Sequence, residues 1–447
     1  MAKLILDRLE EETFWNLPDG SFLEVIYNTF EQELRRLRRA PSASERVQTE
    51  ERTKKDSSSP SRLLLGEDFD EINRTLVSLL AAKWLWLRDY ETFTSNQPEE
   101  AVLPPDAFHH FATKFKGGST EPRDQLLIIT LLIIHDLGKD PSLAAELRSK
   151  TGSSSTPENH DLVVYDAVKA GLVPCVDMLD SDQKNDLMLC LKTGSQLNIG
   201  QLIQAENVPG SLEAVLEFRG AQSHCFDFKF LEQMLDIAGA QGHIDHTCAV
   251  SFTLPVYNAF FTAYRGMKEI VDGVSTLRQG YDEVLVTRAS DLQARGFVKL
   301  SVDKPRERTL LRLLTMGRTA SREQADRFLK AFNELPPQDR KGLVDGLNVN
   351  GYNDGKAILP YYMPALFQTM LKTMHDEPAW RQTAALGSLM RFLSRALSGT
   401  HPRPGQKSQI VECNLLFAKE TITSNDFRRD PKVLDRLTIP NDAYERN

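Results

Sequence analysis

The chain carries a run from Leu126 to Ile134, broken only by Thr130, that stops at His135-Asp136 and exits through Leu137-Gly138-Lys139. A helix this apolar has no face to give to water, so it belongs in the interior of a helical body. Its last residues enter that interior with it. An isolated carboxylate is costly there, and either a metal ion or a buried hydrogen-bonded partner removes the cost. The His-Asp dipeptide occurs three times, at His135-Asp136, His160-Asp161 and His375-Asp376. Only the first combines an apolar approach with a Gly-Lys exit, and the third, in TMHDEPAW, reads as a surface helix end.

At 447 residues the chain is long enough for two or three domains, or for one large helical body. A net charge of −8 argues against a nucleic-acid partner, which needs a basic face. The apolar run is about half of the ~20 residues that span a membrane. The first residues, MAKLILDRLEEETFW, are acidic where a signal peptide needs an apolar stretch, so the expected location is cytoplasmic. The five cysteines, at 175, 190, 225, 248 and 413, form no CxxC pair and read as buried thiols.

Helical periodicity dominates. It predicts N-terminal helices within 1–39, including 22–39, then a charged, Ser- and Pro-rich flexible linker over 40–62. A helical core is expected over 63–250, with helices at 76–93, 106–116, 123–136, 142–150, 158–171, 183–192 and 228–246. A second helical region over 251–399 completes it, with helices at 254–275, 306–315, 320–334, 362–375 and 378–397. Residues 280–300 leave room for a short strand pair around YDEVLV and GFVKL, and 400–447 is expected to be a tail. The scarcity of alternating β-branched segments excludes the sheet-based folds.

The His135-Asp136 segment resembles the HD-domain metalloproteins. The resemblance implies an all-α, HD-like helical bundle with added N- and C-terminal helices around one central cavity. It also implies metal ligands in the order His, His-Asp, further His, late Asp. The matching positions are His110 (or its neighbour His109), His135 and Asp136, His160 and Asp161, then Asp236 and His243. Seven residues separate the last pair, which shares one face if the helix continues to 246. Ala238, Gly239 and Ala240 between them leave room for a cofactor or substrate. Each position has a plainer alternative: Asp161 as an early-turn acid, Asp236 and His243 as capping groups. His224 and His246 are weaker candidates. Mixed imidazole and carboxylate donors suit iron or manganese, and a carboxylate-only subset suits magnesium.

Three chemistries fit such a bundle: phosphoester hydrolysis, di-iron oxygenation, and metal-assisted ionisation of a diphosphate. For the last, the helical chain resembles the atypical fungal humulene synthases of tropolone sesquiterpenoid pathways. Like them it has no DDxxD, and its Asn185-Asp186 and Asn353-Asp354 lack the Ser and Glu of the second cyclase motif. That resemblance implies a binuclear magnesium site and an essential diphosphate-binding lysine. Helix 254–275 offers Tyr257, Phe260, Phe261 and Tyr264 as a cavity wall, with Arg265 and Lys268 for the diphosphate; the alternative is core aromatics and a solvated basic pair. Residues 346–367, with Asn353, Asp354 and Lys356 before Tyr361 and Tyr362, read as a pocket lid or as a plain turn and helix.

The preferred expectation is therefore a magnesium-dependent lyase on a prenyl diphosphate such as farnesyl diphosphate, with Asp136, Lys268 and Arg265 catalytic. An HD-type di-iron oxygenase, with iron or manganese, or a phosphohydrolase on a small molecule is the alternative. A non-catalytic helical scaffold is the third reading.

Overall fold

The computed structural model describes residues 2–41, 58–152, 159–398, 405 and 408–446. The protein is all-α, with one small sheet among the described residues. Two compact units divide the chain: Met1–Leu197 with Glu217–Phe260, and Asn198–Leu216 with Phe261–Asn447. The N-terminal helices and the HD-bearing segment thus share one body, and the second unit includes a short piece from the middle of the chain. Among the described residues no helix is long and apolar enough to cross a membrane.

In the first unit the apolar run forms the helix Pro122–Ile134, with a proline in its first turn where no N–H is missed. Every residue from Gln125 to Ile134 is buried. Around it pack Ala2–Glu10, Asp70–Leu87, Ser181–Gln196 and Ser223–Gly239. The last of these crosses Asp70–Leu87 closely, and glycine permits the approach. A Cβ on Gly239 would strike Ser78 and the Arg74 carbonyl, and one on Gly242 would strike Val77 and the Asn73 carbonyl. The small residues at 238–240 serve helix–helix contact, which corrects the expectation of room for a ligand beside them.

The expected helix over 22–39 is two, Asp19–Thr29 and Glu31–Leu37, broken at Phe30. Most of the expected 40–62 linker lies outside the described residues, and its last three open the helix Pro60–Leu65. The strand pair allowed for 280–300 is instead the helix Leu277–Ala294, fixed by a capping box between Thr276 and Gln279.

In the second unit, strands β1 (Lys356–Tyr361), β2 (Gln409–Asn414) and β3 (Tyr444–Arg446) form a sheet in that order, β1 parallel to β2 and β2 antiparallel to β3. The segment expected to be a lid or a turn and helix thus holds a strand. The C-terminal residues are not a tail: Cys413, Leu415, Ile422, Phe427 and Leu434 are buried in one core with Leu389, Phe392 and Phe367.

That unit also buries charge. Asp282 receives Arg308 at 2.6 Å and Arg278 at 2.7 Å. Arg312 donates to the carbonyls of Leu347, Ala205 and Asn207, and Tyr281 to the last two of these.

Glu206 is buried as well, and accepts the backbone N–H of Tyr362 at 2.6 Å. Tyr362 adopts a positive φ of 75°, a conformation that this contact pins. Burial, opposed by that hydrogen bond and abetted by Glu412, lifts the Glu206 carboxyl to about 7. The folded state therefore holds this proton more tightly than the unfolded chain. The contribution is complete below the unfolded carboxyl's ordinary range and is lost as pH rises through about 7. At ~1.4 kcal/mol for each tenfold difference in proton affinity, the loss is on the order of 3 kcal/mol. Urea unfolding at pH 5 and pH 8 is expected to show it in the native chain, and Glu206→Gln to flatten it. An equal pH dependence in both would assign the effect elsewhere.

Candidate metal centre

His135 ends the Pro122–Ile134 helix, and Asp136 follows before the short turn Leu137–Lys139. His135 Nδ1 lies 2.8 Å from the Leu132 carbonyl oxygen, to which it donates its hydrogen. That contact fixes the neutral tautomer and leaves a lone pair on Nε2. Nε2 faces two carboxylates, Asp236 Oδ1 at 3.2 Å and Asp136 Oδ2 at 3.4 Å. Asp236 comes from Ser223–Gly239, held in place by the close glycine packing described above. Three electron-pair donors, all within 4.8 Å of one another, point at one place. Only a proton or a cation can satisfy them together.

Lys139 Nζ lies 2.8 Å from Asp136 Oδ2 and 2.9 Å from Glu71 Oε2. Arg74 pairs with the other Glu71 oxygen at 2.7 Å. Burial by itself disfavours the His135 imidazolium, but Asp136 and Asp236 overcome it and hold His135 well above the usual histidine range. Against the burial that raises it, His135 and Lys139 hold Asp136 well below the usual carboxylate range. The three carboxylates Glu71, Asp136 and Asp236 face the two cations Arg74 and Lys139. With a neutral imidazole the group is one negative charge in excess, which a proton on His135 cancels. A divalent ion in its place leaves one positive charge.

His160 opens the helix His160–Lys169, which Asn159 caps by accepting the Asp161 N–H at 2.9 Å. Its Nε2 lies 3.7 Å from Asp136 Oδ1 and 3.6 Å from Asp161 Oδ1. His160 is half-exposed, and so stands at the mouth of the buried group. Gly138 permits this approach: a Cβ there would collide with the His160 carbonyl oxygen. Gly138→Ala is expected to push the start of that helix away from Asp136, costing about 1–3 kcal/mol by overpacking. Thermal unfolding reads the cost, and an unchanged melting temperature would show that the contact yields freely.

The other expected site residues fall elsewhere. His243 lies beyond the end of its helix at Gly239, so the shared-face argument fails and it is not among the converging donors. His110 is exposed and accepts the Tyr257 hydroxyl at 2.7 Å. Phe260 packs in the core against Phe230, and Phe261 against Tyr264. Arg265 faces Glu283 at 3.6 Å, and Lys268 faces Asp272, just past the end of its own helix, at 2.6 Å. Among the described residues, Lys139 pairs with Asp136, and Arg74 pairs with the neighbouring Glu71. Glu71 and Arg74 escaped sequence reasoning, although their i, i+3 spacing on a nearly all-buried helix was a signal.

One family pattern, described as a family of unknown function (DUF6829), matches residues 23–434. No curated protein and no solved structure matches the chain.

Proposed function

The chain belongs to the DUF6829 family of unknown function, and from the geometry around His135 we propose a divalent-metal-dependent enzyme that hydrolyses a small-molecule phosphoester. The observation that carries the reading is the convergence of the His135 Nε2 lone pair with Asp136 and Asp236 oxygens. One imidazole and two carboxylates form a mixed nitrogen and oxygen donor set suited to manganese or iron, in the manner of the HD-domain metalloproteins. Bound there, the ion would supply Lewis acidity toward a phosphoryl oxygen and a water of lowered pKa.

The protein's own groups do the rest. His135 is held in its ligating tautomer by Leu132. Lys139 and Arg74 neutralise the surrounding carboxylates and leave the loaded site net positive, which favours an anionic phosphate. Half-exposed His160 is placed to exchange a proton between solvent and a group bound over Asp136. A polar surround of Glu71, Arg74, Lys139 and His160 favours hydrolysis over carbocation chemistry, which needs an apolar, water-free mould.

The test is metal analysis of the purified chain, then incubation with magnesium or manganese and a panel of phosphomonoesters and farnesyl diphosphate. Released phosphate and alcohol are the expected products. A cyclic hydrocarbon from farnesyl diphosphate would replace hydrolysis by the sesquiterpene-cyclase reading. Bound iron with a mixed-valent spectroscopic signal would favour an oxygenase. A chain that binds no divalent cation would leave the scaffold reading.

A further inference from the structure

A second set of donors converges in the first unit where Ser181–Gln196 meets Ser223–Gly239. His224 Nε2 lies 3.1 Å from Asp186 Oδ2. Cys225 Sγ lies 3.1 Å from Asp186 Oδ1 and 3.4 Å from His224 Nε2. The logic of the tautomer is the same as at His135. His224 Nδ1 stands 3.1 Å from the Ala221 carbonyl oxygen and donates to it, so Nε2 presents its lone pair to the carboxylate and the sulfur. Tetrahedral coordination with bonds of about 2.0–2.3 Å sets neighbouring ligand atoms about 3.3–3.6 Å apart. The observed separations are those of such a site contracted onto a proton.

We infer that Asp186, His224 and Cys225 form a second metal site, for a zinc-class divalent ion. A sulfur, an imidazole nitrogen and a carboxylate oxygen together select zinc over magnesium or calcium, which take oxygen donors. Charge agrees: when Cys225 S–H gives its proton to solvent, the thiolate and Asp186 carry two negative charges against the ion's two positive ones. Asp186 and Cys225 are buried, while the His224 side chain is 52% exposed, so the fourth coordination position faces water. The trio is not a nucleophilic triad. Burial and the adjacent Asp186 keep the Cys225 sulfur protonated unless a cation displaces the hydrogen. Cys190 donates its S–H to the Cys225 carbonyl at 3.5 Å and anchors the backbone there.

The site also has a structural consequence. His224 lies twelve residues, about 18 Å, before Asp236 on the same helix. An ion bridging Asp186 to His224 and Cys225 would tie the start of that helix to Ser181–Gln196 and fix the rod that presents Asp236.

The experiment is a cobalt(II) titration of the full-length chain. One equivalent is expected to produce a sulfur-to-cobalt charge-transfer band in the near ultraviolet with visible bands of four-coordinate cobalt, and zinc to displace it. The HD site contains no sulfur, so Asp136→Asn is expected to keep the band and Cys225→Ser to abolish it. His224→Ala is expected to weaken cobalt binding about a hundredfold or more. A native chain without the band, or a band that survives Cys225→Ser, overturns the inference. Circular dichroism checks that Cys225→Ser folds. Should it not, exposed His224→Ala decides, and unchanged cobalt affinity in that variant overturns the inference equally.

Discussion

Replacing Asp136 by asparagine is expected to remove divalent-cation binding at the His135 site and, with it, metal-dependent phosphate release. Asp136 is buried and, among the described residues, supplies one of the two carboxylate oxygens that face His135 Nε2. Asparagine keeps the volume but offers a neutral oxygen, and the remaining His135 and Asp236 cannot hold an ion against water. Losing the Lewis acid costs several kcal/mol of transition-state stabilisation, so turnover is expected to fall by about a thousandfold or more. Calorimetric titration with manganese and a phosphate-release assay read the two effects separately. A variant that still binds one equivalent of manganese at this site with native affinity would break the link between Asp136 and the metal. His135→Ala is expected to give the same result. Lys139→Met is different: it removes a cation, not a ligand, and is expected to raise KM for an anionic substrate while metal affinity holds.

In the second unit, Asp282→Asn is expected to destabilise the fold by about 3–5 kcal/mol, the usual consequence of removing one partner from a buried pair. Asp282 is buried and faces both Arg308, which is fully buried, and Arg278. Without its charge, the buried Arg308 guanidinium and the partly exposed Arg278 guanidinium remain near Arg312, whose own cation burial already disfavours, bringing it down to about 10. For a unit of this size the expected fall in melting temperature is roughly 10 °C. Arg308→Met in the same background is expected to recover part of it, because it removes one of the stranded charges. A drop below about 1 kcal/mol would mean that water reaches the cluster and screens it. The contrast with the first unit is physical. Around Asp136 the carboxylates exceed the basic side chains, leaving a deficit of positive charge that an ion can fill; around Asp282 the guanidiniums exceed the carboxylate, and their surplus is spent on backbone carbonyls.

Several features were legible in the residues alone. The apolar run from Leu126 to Ile134 required a buried helix, and the helix formed. His135 and Asp136 at its end required a partner in the interior, and they have one in Asp236, which the late-Asp position of the HD order had singled out. His160 was placed at a helix start, where it stands over Asp136. The buried helix and its charged end rest on local information, namely hydrophobic period, capping residues and the cost of burying a charge, whereas Asp236 came from the ligand order that the HD resemblance implies.

Other features were decided by what each segment meets. Gly239 and its neighbours read as space for a ligand, but the Asp70–Leu87 helix occupies that space. His243 shares a helical face with Asp236 only if the helix continues, and it ends at Gly239. Arg265 and Lys268 read as available to a diphosphate, but Glu283 and Asp272 stand beside them. Strand β1 gained its structure from β2, some fifty residues later in the chain. Glu71 and Arg74 are sixty-odd residues before His135, and no local pattern ties them to it.

By itself, then, the sequence determined that the chain is helical, that one helix is buried, and that a charged His-Asp pair rides into the interior on its end. Tertiary structure alone decided that Glu71, Arg74 and Lys139 surround that pair, and that a second set of donors gathers at Asp186. The reason is one of range. Periodicity and caps act within a few residues and are written in order along the chain. The electrostatic balance of a site is a sum over groups that only packing brings within a few ångströms.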